Sequence, residues 1–187
     1  SIAQLDDAEG TVIAPITLTA VLRLQQIASG HTKTDDGRIV DLGSEKLDAC
    51  EELVSELTLG GERVAIFCRF VRDYQRVLGR LKPYGADALT GETPRKERRR
   101  SLPDGKWTSS SPIIVCSIEV GSLGIDLSDC TAAIFFSTGF KLDPFMQSRD
   151  RLQGEAQKKP VGYYHLICKD TVEQKVYDIL AKKHRIS

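Results

Sequence analysis

Gln147, Arg151 and Asp126 are residues whose types and spacing suit chemistry at a phosphoryl group. Gln147 and Arg151 stand four apart, so on a helix they project from one face. A guanidinium beside an amide binds a phosphoryl oxygen, and an arginine aimed there stabilises charge that develops during transfer. Upstream, Ser117 to Asp126 reads SIEVGSLGID. Gly121 and Gly124 allow close backbone approach and positive φ, Ser117 and Ser122 supply hydroxyls, and Asp126 supplies an acceptor for a sugar hydroxyl. Each feature has a plainer alternative. The helix is then a solvated one with an Asp150 or Glu155 pairing, and the glycine segment a strand-to-helix connection in which Asp126 caps a turn. The run Arg95-Lys96-Glu97-Arg98-Arg99-Arg100 either tracks a nucleic-acid backbone or is a solvated helix face.

The elements that must position these residues follow from periodicity. Apolar residues Leu18, Val21, Leu22, Ile27 and Ala28 recur at helical spacing from Pro15, with Gly30 as a stop and residues 1–14 unassigned. Asp35-Asp36-Gly37 marks a turn into a small hairpin over Arg38 to Leu42. Ser44 caps a helix with apolar face Leu47, Cys50, Leu53, Val54 and Leu57, ended by Gly60-Gly61. Strands are expected at 64–68, 86–89, 113–117, 131–137 and 161–168. Helices are expected after Arg69, from Thr93-Pro94, over 143–153 and over 171–183. Strands alternating with helices at this spacing define an α/β domain with a largely parallel sheet, and the continuous apolar strands fit burial on both faces. Ligands gather outside the carboxyl ends of such strands. The loops there are Arg69-Phe70, Thr90-Gly91, Ser117 to Asp126 and Ser137 to Asp143.

Composition narrows the classes. Lys plus Arg and Asp plus Glu each total 26 in 187 residues, so net charge points to neither a nucleic-acid nor a membrane partner, and any basic surface is local. No apolar run approaches the roughly 20 residues of a membrane span. Five cysteines without a CxxC spacing read as core thiols in a reducing compartment, with no metal site expected. The start at Ser1, without methionine or leader pattern, reads as that of an excised piece. No nucleophile and base pair emerges, which argues against a small-molecule enzyme. There is no G-x-x-x-x-G-K-[ST] phosphate loop, and no strand ends in Asp-Glu to hold Mg²⁺.

Taken in order, residues 15–183 resemble the C-terminal RecA-like domain of a Swi/Snf-type superfamily 2 helicase or translocase. Arg63 to Phe70 is similar to motif IV, Leu89 to Thr93 with the following arginine run to the next block, Ser117 to Leu127 to motif V, and Gln147 to Gln157 to motif VI. Leu22 to Ile27 is similar to the helix leading into this lobe. The resemblance implies a RecA-like three-layer domain, of the P-loop NTPase type but without a phosphate loop, at 44–187, after an N-terminal helical extension and loop at 1–43. It implies a second motor lobe that completes an ATP site with an N-terminal RecA-like lobe, the latter binding most of the ATP and Mg²⁺. Arg151 then faces the phosphates catalytically, Gln147, Gly124 and Asp126 meet the nucleotide, and Arg69, Thr90, Gly91 and Ser117 line a groove for duplex or single-stranded DNA. The implied setting is intracellular, cytoplasmic or nuclear, and the lobe alone is expected to be inactive as an ATP hydrolase. The alternative is a motor-like lobe used as a non-enzymatic nucleic-acid or protein binding module.

Departures from the family pattern carry information. Motif VI usually reads Gln, three residues, Arg, two residues, Arg, two residues, Gln. Gln147, Arg151 and Gln157 match without gaps, but Gly154 holds the second arginine position. Loss of such an arginine finger costs about 10³-fold or more in rate if nothing replaces it. Arg149 is out of phase, about 100° per residue around a helix. Ile118 stands where motif V often has Thr, and Asp126 where many relatives have Asn.

Overall fold

The computed structural model describes residues 7–94, 96, 102–119, 125–154, 157 and 159–186, with side chains from Leu18 to His184. Helix α1 (Asp7–Ala28) leads into a hairpin of β1 (His31–Lys33) and β2 (Ile39–Asp41). Then follow α2 (Glu45–Leu59), β3 (Val64–Cys68), α3 (Val71–Leu81), β4 (Asp87–Leu89), β5 (Ile113–Ser117), β6 (Ala132–Phe135), α4 (Leu142–Asp150), β7 (Gly162–His165) and α5 (Val172–Ile186). Five strands form one sheet in the order β4-β5-β3-β6-β7, every pair parallel. The hairpin turns at Gly37 with φ +87, a conformation that favours glycine.

The sheet is parallel because its strands are apolar on both faces. Along β3, Val64, Ile66 and Cys68 pack with Leu47, Cys50 and Val54 of α2 and Tyr74, Val77 and Leu81 of α3. Ala65 and Phe67 face the other way, toward Phe145 of α4 and Val176 and Leu180 of α5. Burying each large apolar side chain contributes about 1.5–3 kcal/mol, so the two-sided strands anchor both helix layers. At the β7 edge the pattern weakens, and Tyr164 and His165 are exposed.

Several boundaries differ from the sequence expectation. Helix α1 begins at Asp7 rather than Pro15. The last two strands are shorter than expected, because β6 ends at Phe135 and β7 spans only four residues. Helix α4 stops at Asp150, three residues short of Gln153, and its last turn tightens through Leu152 N–H to Arg149 O and Gln153 N–H to Asp150 O. Ser44 precedes α2, but its hydroxyl donates to the Asp48 carboxylate at 2.7 Å instead of capping a backbone N–H. The expected helix over Arg95 to Arg100 lies outside the described residues, apart from Lys96.

Residues 102–107, expected as plain loop, do more than connect. Asp126 N–H donates to Gly105 O at 2.8 Å and Trp107 N–H to Asp126 O at 3.1 Å, a parallel bridge that fixes where Asp126 stands. Trp107 is buried, its indole N–H donating to Asp87 at 3.2 Å and its face covered by Arg63 at 4.1 Å.

Candidate functional site

Two turns meet beside the amino end of β6, although the sequence placed Asp126 in a loop at the carboxyl ends: Thr131, which leads from this junction into β6, donates its N–H to Arg63 O just before β3. One carries Asp126 and Ser128: Ser128 N–H donates to Asp126 Oδ1 at 2.8 Å, a short Asx-type turn. The other carries Arg151, Gly154 and Gln157. Arg151 N–H donates to Gln147 O at 3.1 Å, so the expected four-residue relation of Gln147 and Arg151 holds although the helix has formally ended. Gln147 is exposed and Arg151 half-buried.

Leu127 N–H donates to Arg151 O at 2.9 Å, tying the turns together. Gln157 completes the junction. Its amide nitrogen lies 2.8 Å from Ser128 O, 2.9 Å from Cys130 O and 3.3 Å from Leu152 O, and its oxygen accepts from Lys159 N–H at 3.0 Å. Gly154 sits inside this junction without positive φ, and a Cβ there would lie 3.3 Å from Ser128 Cβ and 3.5 Å from Asp126 Oδ1. Burial acts to raise the Asp126 carboxyl, but hydrogen bonds from Ser128 and the charge of Lys106 outweigh it and hold it below the usual range. A cleft of about 260 Å³ opens beside Gly154, lined also by Gln153, Gln157, Lys159, Val161 and Tyr163.

A second cluster lies at the ends of β3 and β6. Arg69 N–H donates to Ser137 Oγ at 2.8 Å, and Ser137 Oγ donates to the fully buried Asp73 at 2.5 Å. His31 Nδ1 reaches the other Asp73 oxygen at 3.2 Å. The Arg69 guanidinium is half-buried and donates to Gln25 of α1. Burial lowers its pKa against the opposing charges of Glu119 and Asp73. Ser117 is the register partner of Cys68, which brings its half-buried side chain beside the Arg69 loop.

Thr90 is buried rather than presented. Its hydroxyl accepts Glu92 N–H at 3.3 Å and its own N–H donates to Thr93 Oγ1 at 2.9 Å, while Gly91 and Glu92 of that loop are exposed. Gly124 lies outside the described residues. Arg149, out of phase in the sequence, stacks its guanidinium over Tyr163 at 4.7 Å. Among the described residues, no group of three or more His, Cys, Asp or Glu could hold a metal ion.

Sequence reasoning passed over Gln25, Asp73, Ser137 and the structural part of Gln157. Gln25 had one signal, a polar residue within an apolar helical stripe. The other contacts join segments far apart in the chain and leave no local pattern. A cleft of about 1180 Å³ between α1, the start of α2 and α5 is lined by none of the described candidate residues.

Residues 45–153 match the family model of the helicase conserved C-terminal domain. The chain belongs to that family, and its fold is the C-terminal RecA-like lobe of a Swi/Snf-type helicase-like motor. Among curated relatives, it is 30% identical over 160 residues to the mouse SWI/SNF-related matrix-associated actin-dependent regulator of chromatin subfamily A member 1, covering 84% of this chain and 15% of that protein. Chromatin-remodeling ATPase INO80 of Arabidopsis thaliana is 28% identical over 149 residues, covering 76% of this chain and 10% of that protein. The crystal structure of the C-terminal part of the Fun30 ATPase domain aligns with TM-score 0.66 and 27% identity, covering 72% of this chain and 44% of that one. The chain thus spans a small part of these curated relatives. No described helix is long and apolar enough to cross a membrane.

Proposed function

We propose that this chain is the second motor lobe of an ATP-dependent DNA translocase of the chromatin-remodeling kind, acting in the nucleus. The observation that carries the reading is the junction of the two turns, where Leu127 N–H and the Gln157 amide tie the Asp126 segment to the Arg151 segment. A motor lobe needs such a tie, because closure around nucleotide must reach the groove for nucleic acid.

ATP supplies the phosphoryl group and, with its magnesium, depends mainly on a phosphate-loop lobe partnering residues 44–187. Half of that site would come from this chain. Arg151 and Gln147 would meet the phosphates, and Asp126 with the Gly124 segment would lie near the sugar. Arg69, Gly91 and Ser117 would line the DNA groove, with Thr90 shaping its loop from beneath.

Gly154 supports a second reading, a binding module that has lost hydrolysis, because no side chain there reaches toward a phosphate. The two part on one experiment: joining the chain to a competent first lobe and measuring DNA-stimulated ATP hydrolysis. A Gly154→Arg variant that gains about 10³-fold identifies a crippled motor, since one arginine finger is worth that much. No turnover with either residue favours the module. Steady hydrolysis by the unfused chain, abolished by Arg151→Ala, would overturn the half-site reading.

A further inference from the structure

Gln25 is 2% exposed, yet both ends of its amide are used. Its oxygen accepts from Arg69 Nη1, and its nitrogen donates to Thr138 O at 3.1 Å. The Arg69 guanidinium is hemmed on two further sides. A Cβ at Gly139 would lie 3.1 Å from Arg69 Cζ, so a side chain there would push the planar group aside by a few tenths of an ångström, and the Phe70 ring centroid is 5.2 Å away. Beneath it, the Arg69 backbone is held by Ser137, itself bound to Asp73, which His31 meets from β1. Both Gln25 and His31 precede residue 45, where the family match begins.

A free arginine side chain samples many rotamers, and freezing one costs conformational entropy. Here that ordering is supplied by a buried amide that also ties down the loop after β6. We infer that Gln25 is a positioning residue for Arg69, so that helix α1 determines which way the motif IV guanidinium is presented to a nucleic-acid phosphate. The inference rests on the reading of Arg69 as a backbone contact. It makes α1 part of the DNA-binding apparatus, through Arg69, without any contact of its own to DNA.

The test is the salt dependence of binding to a labelled DNA duplex by the full 187-residue chain. Arg69→Ala is expected to weaken binding about tenfold and to reduce the slope of log affinity against log salt by about 1. Gln25→Leu, which removes both amide bonds, is expected to change affinity and slope in the same direction. The double variant should match Arg69→Ala alone, because the two residues act as one unit. Gln25→Glu keeps an acceptor of similar size for Arg69 but loses the donor to Thr138 O and adds a charge that neutralises the guanidinium, so it should also lower the slope, with its folding checked by thermal unfolding. A merely structural glutamine would shift melting and leave the slope untouched. Folded Gln25→Leu and Gln25→Glu variants with the wild-type slope, beside an impaired Arg69→Ala, would overturn the positioning role alone. An Arg69→Ala variant that binds normally would instead sink the nucleic-acid reading of Arg69, and this inference with it.

Discussion

Replacing Gln157 by glutamate is a sharp perturbation of the junction between the two turns. The amide has two hydrogens and faces three carbonyl oxygens, those of Ser128, Cys130 and Leu152, at 2.8, 2.9 and 3.3 Å. Two bonds at full strength contribute about 1 kcal/mol each net, so Gln157→Ala should cost about 2 kcal/mol. A carboxylate has no hydrogen to give and sets its charge against the same oxygens, which should cost about 1–3 kcal/mol more. Gln157→Glu is therefore expected to be the less stable of the two, in urea unfolding with the slope m unchanged. Acid supplies a control. Facing carbonyl oxygens raises the pKa of the introduced carboxyl, so its extra penalty is present at neutral pH and shrinks as pH falls and the protonated group donates again. If Gln157→Glu matches or exceeds Gln157→Ala in stability at neutral pH, the amide does not clamp the junction and the reasoning fails.

Two further outcomes follow from titratable groups elsewhere. Lys46 of α2 and Glu173 of α5 form an ion pair with side chains 5% and 7% exposed, and Glu173 also accepts Cys168 N–H at 2.9 Å. Lys46→Met should cost about 3–5 kcal/mol in denaturant unfolding, since it strands a buried carboxylate, and adding Glu173→Gln should recover part of it. A cost below about 1 kcal/mol would put the pair on a par with exposed bridges. His165 stacks on Phe135 at 5.0 Å with 16° between the rings, and burial followed by the charge of Arg149 lowers its pKa, though part of the residue reaches solvent. The unfolded state then binds the proton more readily, so this contribution is whole above the ordinary imidazole value of about 6.5 and is lost as pH falls through the folded value. His165→Phe keeps the stacking and should flatten the decline of stability on the acid side of about pH 6.5, read as the difference from wild type in urea midpoints across that window.

Local patterns carried much of this protein. The apolar runs at 64–68, 113–116 and 132–136 determined a parallel sheet covered on both faces, because a strand apolar on each side has no face to give to water. The spacing of Gln147, Arg151 and Gln157 determined a family resemblance and, with it, the conspicuous glycine at 154. Boundaries were less legible. Helix α4 gives way after Asp150, where Leu152 and Gln153 N–H turn to carbonyls three residues back and the Arg151 carbonyl takes Leu127 N–H from another segment. Thr90 looked like a groove residue from its place in a motif, yet it is buried and its hydroxyl accepts Glu92 N–H within its own turn.

What only the tertiary structure decided is which residues act on one another across distance. Gln25 and Arg69 are 44 positions apart, and Gln157 and Ser128 are 29 apart. Hydrogen bonds of this kind obey no period in sequence, since their partners are chosen by how the layers pack. Sequence alone determined the sheet, the helix faces and the residues with chemistry to offer. Packing decided that Arg69 is held by α1, that Gln157 is a clamp, and that Gly154 is pressed against Ser128.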